Sequence, residues 1–298
     1  MIDINDLVRK GLAHHDSVHK KSEKTKTKHY RVGSVGAVGA DNKIYGVCHR
    51  ISHARFLGYD KPIEESQKIL FKGGEVTEFF WDMILAPVFD GQVQTGSYLQ
   101  HKFEDISIMG HPDRILADKD GNPKQLIEIK GIFGQSTAIQ VYFKKLPKVE
   151  NLLQAALYCM MLDLPGSLCY TSFSWIKLDE FDQDRYKQRH ILPFVMIFGL
   201  KWDDGRLFYK EESSDTWIQT IFTKESILDY YRLLHEMANT EILGPRPSHA
   251  DVNGKAPYYN ACNLCPFKRQ CDTYDKTNDY NKWIKGVKRV CTKAESKE

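Results

Sequence analysis

Apolar positions along the chain fall into two rhythms. Between residues 96 and 133 they partly alternate with polar ones, and "GSYLQHKFEDISIMGHPDRIL" and "QLIEIKGIF" are rich in β-branched and aromatic residues. Between them "DKDGNPK" carries Asp-Gly and Asn-Pro, which predicts a turn and an antiparallel pair. "SLCYTSFSWIKL" and "HILPFVMIFGL" predict two further strands. Helical spacing governs most of the remainder. Residues 48–57 predict a short helix. Residues 63–85 predict two helical segments, divided at Gly73-Gly74 and ended by Pro87. Residues 148–164 predict a strongly apolar helix, and Ile221 to Met237 an amphipathic one. The Pro-rich stretch 244–271 predicts a small cap held by something other than a core. This order predicts an α/β fold with helices on the faces of a sheet. Its expected parts are a basic N-terminal segment (1–62), a core (63–215), and a C-terminal helix with the cap (216–298).

Composition narrows the class. Hydrophobic residues make up 42% and charged residues 27%, ordinary for a globular chain with a sizeable core. No apolar run reaches transmembrane length, and the N-terminus lacks a signal-peptide core, so a soluble, cytoplasmic protein without a membrane partner is expected. The net charge of +3 does not by itself imply nucleic acid. "KKSEKTKTKHYR", Lys20 to Arg31, carries six Lys or Arg against one Glu; it reads as a solvated arm that is also suited to phosphates.

Three charges interrupt the predicted strand pair. Glu128 and Lys130 are two apart and share a strand face, and Asp113 lies on the preceding strand. Two close carboxylates repel each other, which a divalent cation relieves, and hard oxygen ligands suit Mg²⁺ or Mn²⁺. A lysine beside them can help activate a water or steady charge gathering on a phosphate. That set suits phosphodiester hydrolysis. The competing reading is a surface hairpin laced by salt bridges. Glu78, near a helix start, offers another carboxylate or a partner for the helix dipole. Gln154 and Tyr158, at i and i+4 in the apolar helix, need partners or solvent, and can orient the lysine or the substrate. Phe79, Phe80, Trp81, Tyr258 and Tyr259 suit base stacking or core packing. His14, His15, His19, His29, His49 and His53 lack regular ligand spacing and read as surface or DNA-proximal residues.

Seven cysteines without a secretory signal argue against a disulfide framework. Cys159 and Cys169 read as core, and Cys291, in a polar tail, as incidental. Cys262, Cys265 and Cys271, with Cys48 as a fourth, suit zinc or an iron–sulfur cluster; spacing does not separate the two.

Taken in order, Gly74-x3-Glu78, Gly110-His111-Pro112-Asp113, Glu128-Ile129-Lys130 and Gln154-x3-Tyr158 resemble the motifs of the PD-(D/E)XK nuclease superfamily, in particular its RecB-like branch. The resemblance covers about residues 63–170. It implies a restriction-endonuclease-like core, a mixed sheet flanked by helices, with a cysteine-stapled cap joining the two ends of the chain. It implies Asp113, Glu128 and the Ile129 carbonyl as metal ligands, Glu78 as an outer ligand, and Lys130 as the catalytic lysine. Glu78 departs from the branch, where His is frequent; Glu occurs in phage-type exonucleases. One distant cysteine plus a C-terminal trio resembles the iron–sulfur subclass, which includes the nuclease subunit of helicase–nuclease complexes and the CRISPR-associated RecB-like exonucleases. It implies a [4Fe–4S] cluster on Cys48, Cys262, Cys265 and Cys271, with structural Zn²⁺ as the alternative.

The resulting expectation is a stand-alone Mg²⁺- or Mn²⁺-dependent deoxyribonuclease, an exonuclease in recombination, repair or DNA processing, acting on DNA ends or single strands. An oligomer and a recombination or helicase partner are compatible with it. The alternatives are an endonuclease, or a non-catalytic DNA-binding scaffold on a nuclease fold.

Overall fold

In the computed structural model, residues 29–35, 44, 46, 48–59, 65–89, 92–244 and 265–295 are described. They form β1 (Tyr30–Arg31), α1 (His49–Phe56), α2 (Glu65–Phe89), β2 (Val93–Thr95), β3 (Leu99–Phe103), β4 (Ile106–Gly110), β5 (Arg114–Ala117) and β6 (Pro123–Gly131). Next come α3 (Gln135–Ala138), continued by one wide turn to Phe143, α4 (Val149–Leu162), β7 (Gly166–Ser172), β8 (Ile176–Lys177), α5 (Glu180–Tyr186), β9 (His190–Ile191) and β10 (Phe194–Asp203). The last are β11 (Arg206–Glu211), β12 (Ile218–Thr223), α6 (Lys224–Thr240), α7 (Lys268–Thr277) and α8 (Tyr280–Glu295). Among them, no helix is long and apolar enough to cross a membrane.

A mixed sheet of order β12-β11-β10-β7-β6-β5-β2 organises the fold. β6 and β7 run parallel, with α4 on the crossover between them, and the other pairs of this sheet are antiparallel. A second sheet has the order β1-β4-β3. Alternation along the central strands divides the core. Ile127, Ile129 and Cys169 pack with Trp81 and Leu85 of α2 on one face. Leu126, Leu168, Tyr170 and Phe198 pack with Leu153 and Leu157 of α4 on the other. Trp81 Nε1 donates to Thr171 Oγ1 at 2.8 Å, which fixes the height of α2 on the sheet. The fold is the mixed, helix-flanked sheet that the sequence pattern predicts.

Several expectations need correction. Gly73-Gly74 does not divide α2, which continues through Pro87 to Phe89. Burial of its inner face outweighs the helix propensity lost at glycine, about 1 kcal/mol each. Ile221 to Thr223 belong to β12, and the amphipathic helix starts at Lys224, where Thr223 and Ser226 form a capping box. The described residues on either side of the Pro-rich stretch share a second core: Ala54, Met237, Leu243, Phe267, Cys271, Tyr274, Trp283, Val287 and Cys291. Phe267 and Val287 are fully buried there, and each contributes about 2 kcal/mol relative to exposure. Cys291 is therefore a packed core residue of α8. A helix is expected from this C-terminal stretch, but the polarity of its residues gave no sign of the buried stripe on which Cys291 sits.

Candidate active site

The turn between β5 and β6 sets the register of the site strands. Asp118 accepts from the backbone N–H of Asp120 and Asn122 and pairs with Lys124, while Gly121 takes the left-handed φ of 82°. This places Arg114 opposite Ile127. Asp113 lies in the bend just before β5, not within the strand as its sequence context suggests. Its Oδ2 accepts from the Ile129 N–H at 2.7 Å.

β6 lies inside the sheet, so Glu128 and Lys130 are not surface hairpin charges. The Glu128 side chain is 1% exposed, and Lys130 Nζ donates to its Oε1 at 2.6 Å. Glu128 Oε2 is buried with no hydrogen-bond partner. Burial pushes the Glu128 carboxyl upward against the pull of the Lys130 ammonium, and the charge of Asp113 adds to the rise. For Lys130, burial acts downward, but Glu128, Asp113 and Glu78 outweigh it and hold the ammonium above its ordinary value. Asp113, Glu128 and Lys130 thus form one electrostatic unit.

Glu78 reaches this unit from α2. Burial raises its pKa, Asp113 raises it further, and Arg114 opposes both. Gly131 allows the close approach of α2. A Cβ there would stand 2.9 Å from Thr77 Oγ1 and 2.9 Å from the Phe133 ring. Gly73 likewise makes room for Phe133, leaving that ring beside the site at 56% exposure.

α4 supplies the remaining polar groups. Tyr158 is buried, and its hydroxyl accepts from the His111 N–H at 3.0 Å. Gln154 stands beside the same phenol, one turn earlier on α4. Gly110 is a glycine because that phenol lies against its Cα: a Cβ would be 2.6 Å from Tyr158 Cε1. The Gly-His-Pro-Asp segment is therefore clamped on α4, two residues before Asp113.

Arg114 and Asp82 were not singled out in the sequence. Arg114, on the α2 side of β5, is 7% exposed. Its Nε and Nη2 donate to Asp82 Oδ1 and Oδ2, both at 2.6 Å. Its Nη1 lies 2.5 Å from the Asp113 carbonyl and 3.4 Å from Glu78 Oε2. The available signal was a lone arginine before the apolar Ile115-Leu116, with Asp82 four residues after Glu78 on one helix face.

The donor set fits a hard divalent ion. It offers an orphaned buried carboxylate oxygen, the Asp113 carboxylate whose charge reaches it, and a backbone carbonyl at Ile129, while Mg²⁺ ordinarily keeps several waters. Among the described residues, no three His, Cys, Asp or Glu side chains form a cage on their own.

In the cap, Cys48, Cys265 and Cys271 line one pocket of about 340 Å³, open to solvent, with Arg50 and Phe267. Cys262 lies outside the described residues, as do Tyr258, Tyr259, His14, His15, His19 and all of the basic arm before His29. His49 and His53 are buried, which corrects their reading as surface residues; burial pulls both down to about 4. His53 Nε2 bonds the Tyr280 hydroxyl at 2.7 Å. Trp81 is core, whereas Phe79 is 63% exposed.

No protein-family model and no curated protein matches the chain. Similar solved structures include SSO0001, with 15% identity, a TM-score of 0.44, and coverage of 90% of this chain and 95% of that one. The alkaline exonuclease of Laribacter hongkongensis has 14% identity and a TM-score of 0.41, covering 72% of this chain and 90% of that one. A phage related exonuclease from Haemophilus somnus 129PT has 14% identity and a TM-score of 0.36, covering 64% and 77%.

Proposed function

We propose that the protein is a divalent-metal-dependent deoxyribonuclease, with exonuclease action favoured. One observation carries this reading: Glu128, sealed in the sheet with one oxygen on Lys130 and the other on nothing, stands in one electrostatic unit with Asp113. A buried carboxylate oxygen without a partner is costly, and a cation is the simplest group to satisfy it.

Asp113, Glu128 and the Ile129 carbonyl would hold Mg²⁺ or Mn²⁺, with Glu78 as an outer ligand. The ion supplies Lewis acidity toward a phosphate. The Ile129 N–H orients the Asp113 carboxylate. Lys130 Nζ keeps its proton and places positive charge against that gathering on the phosphate oxygens. Tyr158 holds the segment that carries Asp113, with Gln154 beside it on α4. The exposed rings of Phe79 and Phe133 suit stacking on unpaired bases at a DNA end.

For the cap, a [4Fe–4S] cluster on Cys48, Cys262, Cys265 and Cys271 is proposed, with structural Zn²⁺ as the other occupant of the same thiolates. Support comes from three of the four cysteines lining one pocket. Anaerobically purified protein should carry iron, sulfide and a broad visible absorbance; colourless protein containing zinc selects the alternative.

The decisive experiment is a time course on end-labelled and circular DNA, single- and double-stranded, with Mg²⁺ or Mn²⁺. Cleavage should depend on ends, and should be lost in Asp113→Ala and Lys130→Ala with folding intact. No cleavage of any DNA form by the unaltered protein refutes the nuclease reading.

A further inference from the structure

We infer that Arg114 and Asp82 form a charge latch that positions Glu78 and sets the affinity of the acidic site for its divalent ion. The inference rests on the metal site proposed above and concerns two residues outside its ligand set.

Arg114 lies between two carboxylates of α2 four residues apart, Glu78 and Asp82. It grips Asp82 with two parallel bonds at 2.6 Å and only grazes Glu78 at 3.4 Å. Such a fork on one carboxylate is the strongest and most directional pairing that a guanidinium makes. Its third contact, Nη1 to the Asp113 carbonyl, ties it to the strand entry that carries the Asp113 carboxylate. One nearly buried cation therefore braces α2 against β5 at the point where Glu78 approaches Asp113.

The arrangement has an electrostatic consequence with a definite sign. A full positive charge this close to Glu78 and Asp113 opposes a second cation. Asp82 neutralises it and holds it off Glu78, leaving Glu78 available. Without Asp82, Arg114 would close on Glu78 and compete with the metal for that carboxylate. Without Arg114, its charge no longer opposes the metal. Asp82 thus promotes metal binding while touching none of the expected ligands, and it does so only through Arg114. Both are positioning residues.

The test is a calorimetric titration of full-length, DNA-free protein with Mn²⁺, alongside thermal melts. Asp82→Asn should weaken Mn²⁺ binding about tenfold, the order expected for one uncompensated charge near a divalent ion. Arg114→Gln should bind Mn²⁺ at least as tightly as the parent, although it melts lower. The double variant should match Arg114→Gln. Should Arg114→Gln fail to fold, Arg114→Lys keeps the charge, loses the fork, and should weaken binding as Asp82→Asn does. A merely structural brace would lower stability in both single variants and shift Mn²⁺ affinity the same way in both. That result, or unchanged affinity in Asp82→Asn, overturns the latch and leaves the nuclease reading standing. Parent protein that binds no Mn²⁺ removes both.

Discussion

Replacing Lys130 with Met keeps most of the side chain's apolar stem and removes its ammonium. That ammonium stands 2.6 Å from Glu128 Oε1, and Glu128 Oε2 is already buried without a partner. The variant leaves a carboxylate, 1% exposed, without its cation. Removing one member of a buried ion pair typically costs about 3–5 kcal/mol. Lys130 is 23% exposed, so some water can reach the vacated end of the pair. The expected loss is therefore near the lower bound, about 3 kcal/mol, measured by urea unfolding of metal-free protein at about pH 8. The deficit should depend on pH. Burial raises the Glu128 pKa in the folded state, so a neutral Glu128 favours folding. That contribution is fully present below the unfolded carboxyl value of roughly 4.3 and is lost as pH rises through the folded value. The Lys130→Met deficit should thus shrink toward acid pH. Glu128→Gln combined with Lys130→Met should be more stable than Lys130→Met alone near pH 8, with a flatter profile. Mn²⁺ at 100 times its dissociation constant should return about 2.7 kcal/mol to Lys130→Met and much less to the double variant. A Lys130→Met protein within about 1 kcal/mol of the parent near pH 8 would refute the buried-pair reasoning, as would a double variant no better than the single one.

Gly110→Ala forces a Cβ to within 2.6 Å of Tyr158 Cε1, against a ring buried in α4; it should cost about 1–3 kcal/mol in urea unfolding and lower DNA cleavage by displacing Asp113. Wild-type stability would mean that the clamp is looser than the geometry requires. Tyr158→Phe removes the acceptor of the His111 N–H and should cost about 1 kcal/mol while reducing cleavage; unaltered turnover would relieve Tyr158 of its positioning role. Cys48→Ser should lower bound iron or zinc by elemental analysis, whereas Cys291→Ser should lower the melting temperature and leave metal content unchanged. The reverse pattern would move the ligand set to Cys291.

Parts of the candidate site were legible because their residues sit on regular elements whose side-chain period is fixed by the backbone. Glu128 and Lys130 share a face in any strand, and Gln154 and Tyr158 share one in any helix, so placing either element placed both residues. The strand pair followed from Asp-Gly and Asn-Pro, and the structure bears them out in the turn held by Asp118 and Gly121. The failures come from long-range packing. Gly73-Gly74 looks like a break only until Phe133, sixty residues away, is seen resting on Gly73. His49 and His53 look exposed among Arg and Ser, yet α6 and α8 cover them through Tyr230, Tyr280 and Trp283. Cys291 looks incidental because a helix with one buried stripe and one basic face has a polar composition. Arg114 was hidden for a related reason. Its meaning lies in Asp82 and Glu78, which meet it only when α2 docks on the sheet through Trp81 and Thr171. Local periodicity could therefore group Glu128 with Lys130 and Gln154 with Tyr158, but not Arg114 with its partners, because that cation is paired across two elements distant in sequence.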